Sequence, residues 1–123
     1  MAKVLIVEDD PILRNMYSVK FTKAGHEVQS ADNGEEGLKL MRSFRPDLVL
    51  MDLMMPVMDG FTALTRAKED QEIKAIPIVI LTNLSQAEDA EKTLKCGAAD
   101  FIVKSNLTPS EVLEKVKNHF STS

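Results

Sequence analysis

The stretch DLVLMDLMMPVMDG, residues 47–60, decides how the chain is read. Leu48 to Met51 is an unbroken apolar run, the pattern of a strand covered on both faces. It ends on Asp52, a poor strand residue whose charge is costly to bury without partners. A methionine-rich segment follows, closed by Pro56, Asp59 and Gly60, residues suited to shaping a loop and starting a helix. A carboxylate at the end of a buried strand needs a reason, and the rest of the chain supplies one.

Outward from this stretch, a strand-like run followed by a helix-like run recurs along the chain. The strand-like runs are Lys3 to Val7, Glu27 to Ala31, Asp47 to Met51, Ile78 to Thr82 and Asp100 to Val103. The first, third and fourth are almost wholly apolar and read as inner strands. EVQSA (27–31) carries one large apolar residue, and the last run is short, so both read as edges. Helical spacing groups Ile12 with Met16 and Val19, and Gly37 with Leu40, Met41 and Phe44. It likewise groups Ala87 with Ala90 and Leu94, and Val112 with Val116 and Phe120. Asp10-Pro11 predicts a capped helix start, and Ser85/Glu88 and Thr108/Glu111 have the spacing of capping boxes. Gly25 and Gly97 fall where helices end on a left-handed residue. A third helix is expected over Gly60 to Lys68, followed by a polar loop, EDQEIKA, leading to Pro77.

This alternation predicts an α/β fold: a flavodoxin-like, doubly wound (βα)5 unit with a five-stranded parallel sheet and helices on both faces. Three inner and two edge runs are compatible with strand order 2-1-3-4-5. At 123 residues, with no linker or repeat, the chain is expected to form a single domain over 1–123 with no output domain. A net charge of −4 argues against nucleic-acid binding. The lone cysteine, Cys96, excludes an internal disulfide framework. The amino-terminal apolar run, Val4 to Val7, is too short for a signal peptide or a membrane span, so a cytoplasmic location is expected.

In sheets of this kind, sites lie beyond the carboxyl ends of the strands. There the chain places Glu8, Asp9 and Asp10 after the first strand, and Asp52 after the third. Thr82 ends the fourth strand, and Lys104 follows the fifth. Clustered carboxylates repel unless a cation relieves them, and an all-oxygen set suits Mg2+. No histidine is near the cluster, which argues against zinc. Asp10 is better explained as a helix cap than as a ligand. An ammonium, a hydroxyl and a metal together make a cradle for a phosphoryl group, with Asp52 as a candidate nucleophile. Taken singly, Thr82 is an ordinary β-branched strand residue and Lys104 a solvated strand end. Tyr17 reads as packing on the first helix, and the methionines as gap-filling.

The segments LIVEDD, LVLMDLMMPVMDG, IVILTNLS and GAADFIVKS, in this order and spacing, resemble the receiver domain of two-component response regulators. That resemblance covers the whole chain and implies a stand-alone regulatory phosphoacceptor rather than an enzyme with an external substrate. By position it makes Asp52 the phosphoacceptor. Glu8, Asp9, Asp52 and the Met54 carbonyl become the holders of Mg2+, or of Mn2+ in its place. Thr82 is the switch hydroxyl, Lys104 the phosphoryl-contacting lysine, and Phe101 the aromatic switch residue. Met54, Asn83 and Leu84 fall at positions that modulate the site, and two apolar residues there imply slow self-dephosphorylation. Expected partners are a histidine kinase or phosphotransfer protein upstream and a protein target of the helix 4/strand 5/helix 5 face. Neither a nucleic acid nor a membrane is expected as partner, and the state is a monomer or a phosphorylation-dependent dimer. The chain departs from the family at Ser105, where a proline usually follows the lysine; a trans bond is expected there. Other readings are a pseudo-receiver that does not accept phosphate and a phosphorelay intermediate. An aspartyl phosphatase is disfavoured because Met54 stands where it needs a second acid. A flavin binder is disfavoured because no glycine-rich loop follows the first strand.

Overall fold

A computed structural model of the chain describes residues 2–84 and 86–120. Its strands are β1 (Lys3–Val7), β2 (Glu27–Ala31), β3 (Leu48–Met51), β4 (Ile78–Thr82) and β5 (Asp100–Val103). Its α-helices are α1 (Pro11–Lys23), α2 (Gly34–Phe44), α3 (Gly60–Glu69), α4 (Ala87–Lys95) and α5 (Pro109–Val116). All pairings are parallel, in the order β2-β1-β3-β4-β5. The three apolar runs are the inner strands, and EVQSA is an edge with only Ala31 buried.

Residues alternate across the sheet because successive side chains in a strand point to opposite faces. Val4, Ile6, Leu48, Leu50, Val79 and Leu81 meet α1 and α5 through Tyr17, Phe21, Val112 and Val116. Leu5, Val7, Val49, Met51, Ile78 and Ile80 meet α2 and α3 through Leu38, Met41, Ala63 and Leu64. Each inner strand is therefore buried on both faces.

Two helix faces differ from the spacing argument. Ile12 is 71% exposed, and Met16 and Val19 are exposed with it; α1 instead buries Tyr17 and Phe21, with Leu13 packed beside them. Both stripes repeat at helical spacing, and the one carrying two aromatic rings removes more apolar area from water. In α4, Leu94 is exposed and Thr93 is buried. The Thr93 hydroxyl donates to the Ala90 carbonyl at 3.0 Å, which removes the cost of burying it.

Three boundaries also move. Asp47 lies before β3, where its N–H donates to the Lys3 carbonyl and its carboxylate accepts the Lys3 N–H. The third helix runs one residue further than expected, to Glu69. Ser85 lies outside the described residues; α4 starts at Ala87, and its N-cap, Gln86, makes no side-chain cap bond. The other caps form as expected: Asp10 on α1, Asp59 on α3, and a full Thr108/Glu111 capping box on α5. Gly25 and Gly97 adopt φ of +97° and +105°. No described helix is long and apolar enough to cross a membrane.

Candidate functional site

The site is a product of strand register. Val7 pairs with Met51, so the next residues, Glu8 and Asp52, lie side by side. Two backbone bonds keep them extended: Asp52 N–H donates to the Val7 carbonyl and Glu8 N–H to the Ala31 carbonyl. By alternation Glu8, Asp52 and Lys104 continue the rows of Ile6, Leu50 and Ile102, all on the α1/α5 side. The three side chains meet although they come from three different strands.

Asp52 is held by three donors. Oδ1 accepts the Leu53 N–H at 2.7 Å and the Met54 N–H at 3.3 Å. Oδ2 accepts Lys104 Nζ at 2.7 Å. The same ammonium also donates to Glu8 Oε1. Burial is the largest influence on Glu8 and pushes its carboxyl up to about 7, against the opposing pull of Lys104. For Lys104 burial acts downward, but its hydrogen bonds to Asp52 and Glu8 outweigh it and the net shift is upward.

Asp9 is exposed, and ligand oxygens of Glu8, Asp9 and Asp52 lie within 4.8 Å of one another. This set is three carboxylates with no nitrogen or sulfur donor, which fits a hard divalent cation. Two of the three charges face a single ammonium, so the cluster retains negative charge for a cation to offset. Asp10 spends its carboxylate on the Ile12 and Leu13 N–H groups and stays out of the cluster, as a cap should. Both histidines lie elsewhere: His26, just before β2, accepts the Ala2 N–H, and His119, after α5, contacts Asp100 at the start of β5.

The loop after Asp52 folds tightly back. Gly60 N–H donates to the Leu53 carbonyl at 2.9 Å. A Cβ on Gly60 would lie 2.2 Å from the Asp52 carbonyl oxygen, so only glycine fits. Val57 has φ +67°, and Met58 N–H donates across it to the Pro56 carbonyl at 2.7 Å. That is a γ-turn of the strained, positive-φ kind, occupied by a β-branched residue.

The remaining expected residues are near the site without being joined to it. Thr82 is buried, but its hydroxyl accepts the Leu84 N–H at 3.4 Å and is not bonded to Asp52 or Lys104. Asn83 is exposed. Phe101 is half-buried against the α2/α3 side of the core. A cleft of about 520 Å³ opens beside Asp9, lined by Leu53, Met54, Met55, Asp59, Phe61 and Leu84. Lys104, Ser105 and Asn106 form a 3-10 turn, and no peptide bond is cis among the described residues. One residue escaped the sequence argument. Arg14 Nη1 donates to the Glu8 carbonyl at 2.9 Å and braces the acidic turn from α1; an arginine one helical turn into a helix carries no signal of this by itself.

Comparison with known proteins agrees with the fold. Residues 4–117 match the response regulator receiver domain family. Protein PilH of Pseudomonas aeruginosa is 39% identical over 104 residues, covering 85% of this chain and 86% of that protein. The DNA-binding dual master transcriptional regulator RpaA of Synechocystis is 38% identical over the same length. There the match covers 85% of this chain but only 43% of the relative. Among solved structures, the Vibrio cholerae chemotaxis protein CheY4 superposes with a TM-score of 0.90 at 32% identity, covering 98% of this chain and 99% of that one. The BeF3-activated receiver domain of Klebsiella pneumoniae RstA superposes with a TM-score of 0.87 at 30% identity, covering 95% and 97%.

Proposed function

Because the chain belongs to the receiver-domain family of two-component response regulators, whose work is phosphorylation-dependent signalling, we propose that Asp52 is its phosphoacceptor. The observation that carries this reading is the placement of Asp52: at the end of β3, bonded to Lys104, with Glu8 and Asp9 beside it. A carboxylate oxygen of Asp52 attacks the phosphorus of a phosphohistidine. The P–N bond breaks, the imidazole leaves with the electron pair and takes up a proton, and an acyl phosphate remains on Asp52.

Each neighbour has a part. The Leu53 and Met54 N–H groups fix Oδ1, so the side chain is oriented before the donor arrives. Lys104 offers an ammonium to the phosphoryl oxygens as charge develops there. Glu8, Asp9, Asp52 and the Met54 carbonyl would hold Mg2+, or Mn2+, which supplies charge neutralisation for the incoming phosphoryl group. Thr82 exchanges its bond with the Leu84 N–H for one with the phosphoryl group, and Phe101 repacks in response. The readout is a changed protein contact on the face built by α4, β5 and α5. Upstream, the partner is a histidine kinase or a phosphotransfer protein.

The test is direct. The chain is incubated with phosphoramidate and Mg2+, and its intact mass is recorded beside Asp52→Asn and a chelated sample. One phosphoryl group that needs both Asp52 and the cation is the expected result. A folded chain that gains no mass under any condition would be a pseudo-receiver.

A further inference from the structure

The three clustered carboxylates are held in different ways. Asp52 is bonded by the Leu53 and Met54 N–H groups and by Lys104. Glu8 is bonded by Lys104 and by the Asp10 N–H at 3.3 Å. Asp9 is exposed, and among the described residues its carboxylate takes no hydrogen bond and no ion pair. Its direction is therefore set by the backbone alone. That backbone leaves the sheet at this point, because Val7 pairs with Ala31, the last residue of β2. The Glu8 N–H still finds the Ala31 carbonyl at 3.0 Å, but β2 has ended where the Glu8 carbonyl would need a further donor. Glu8 is 3% exposed, and a buried carbonyl left without a donor is costly. Arg14 supplies the donor, with its Nη1 2.9 Å from the Glu8 carbonyl oxygen. The same helix grips the turn a second time through the Asp10 cap, whose carboxylate accepts the Ile12 and Leu13 N–H groups.

We propose that Arg14 is a positioning residue for the cation: its guanidinium clamps the peptide unit between Glu8 and Asp9 and so aims the Asp9 carboxylate at the place shared with Glu8 and Asp52. The proposal rests on the reading of those three carboxylates as the cation's holders. A peptide unit is planar, so fixing the Glu8 carbonyl also fixes the Asp9 N–H and Cα. With Asp10 held by its cap bonds on the other side, little rotation is left at Asp9. A guanidinium bond to a carbonyl is charge-assisted and stronger than a neutral one. A ligand group ordered before its metal arrives spares the cost of ordering it on binding. Charge alone predicts the opposite effect, since a guanidinium near three carboxylates competes with a cation and deleting it would tighten binding. The direction of the change on removing Arg14 therefore separates positioning from charge.

Binding is measured directly with Mn2+ as the probe, from the loss of the free-ion EPR signal, on wild type, Arg14→Leu and Phe21→Leu. Phe21→Leu loosens the packing of α1 while keeping Arg14. Arg14→Leu should weaken Mn2+ binding about tenfold, the size expected for one hydrogen bond to a charged group, and Phe21→Leu should stay close to wild type. Unchanged or tighter binding by Arg14→Leu, its fold checked by circular dichroism, overturns the proposal. So does an equal weakening in Phe21→Leu, which would make the effect one of stability, and so does a wild type that binds no Mn2+. Phosphorylation by phosphoramidate gives the second readout. In Arg14→Leu, half-saturation by Mg2+ should rise about tenfold while the rate at saturating Mg2+ stays within about twofold of wild type. A lowered saturated rate at unchanged half-saturation overturns the proposal. Wild-type cation binding by Arg14→Leu leaves Asp52 as acceptor untouched. A wild type that binds Mn2+ but gains no phosphoryl mass overturns the acceptor reading and not this one.

Discussion

Lys104 Nζ lies 2.7 Å from Asp52 Oδ2, although β4 stands between the strands that carry the two residues. The lysine reaches over the end of β4 and is itself almost fully buried when it arrives. It also bonds Glu8, so one ammonium balances two buried carboxylates.

Removing that ammonium should therefore be felt in stability as well as in chemistry. Lys104→Met leaves two buried carboxylates facing each other, and losing one partner of a buried pair costs about 3 kcal/mol. Urea unfolding at neutral pH should show this loss. Asp52→Asn removes one of the two anions and should unfold much closer to wild type while taking up no phosphoryl group.

The γ-turn at Val57 stores strain that can be relieved. A β-branched residue at φ +67° is strained by about 1–2 kcal/mol, and glycine adopts this conformation freely. Val57 is 76% exposed, so little packing is lost on replacement. After the greater unfolded-chain entropy of glycine is subtracted, Val57→Gly should stabilise the chain by about 1 kcal/mol. A higher urea midpoint at unchanged slope is the expected reading; a lower midpoint would show that the loop tolerates valine without strain.

A pH dependence follows from the α5 cap. The Thr108 N–H donates to the Glu111 carboxylate and holds its pKa below the usual value. A group with a depressed folded pKa contributes stability above its unfolded pKa, near 4.5 here, and loses it as pH falls through the folded value. Glu111→Gln retains an acceptor but no titration. The stability difference between wild type and variant should be present at pH 6 and shrink as pH is lowered past 4.5. Thr108→Ala, which removes the other half of the box, should cost about 1 kcal/mol.

Lifetime of the acyl phosphate should depend on Met54. This side chain is exposed at the site, and neither it nor Leu84 can orient an attacking water by hydrogen bond. The phosphorylated chain should decay slowly. Met54→Asn supplies a donor and an acceptor at the same place, and should speed decay on the order of tenfold, equivalent to ~1.4 kcal/mol of barrier. Loss of the added mass with time measures it.

Much of this arrangement was legible in the sequence because it follows from two periodicities and from where strands end. An apolar run of strand length, a capping residue and a proline at the first helical position all act locally. So the five strands, the caps at Asp10, Asp59 and Thr108, and the meeting of Glu8, Asp9, Asp52 and Lys104 could be read from the chain. The faces of α1 and α4 could not. Ile12, Met16 and Val19 make as regular a stripe as Leu13, Tyr17 and Phe21, and only packing against Ile6 and Leu50 decides between them. Arg14 was invisible as a site neighbour for the same reason. Its role depends on which way α1 is turned about its own axis.

The alternation of side chains along β1 and β3 has a wider consequence. Glu8 and Asp52 face each other only when the strands pair with Val7 opposite Met51. A slip of either strand by one residue would turn its carboxylate toward the other helical layer, away from Lys104. If Asp52 is the acceptor as proposed, a misassembled copy would be mute: it could not be charged with phosphate, and so could not transmit a false message. Competence to receive the signal doubles as an inspection of the fold.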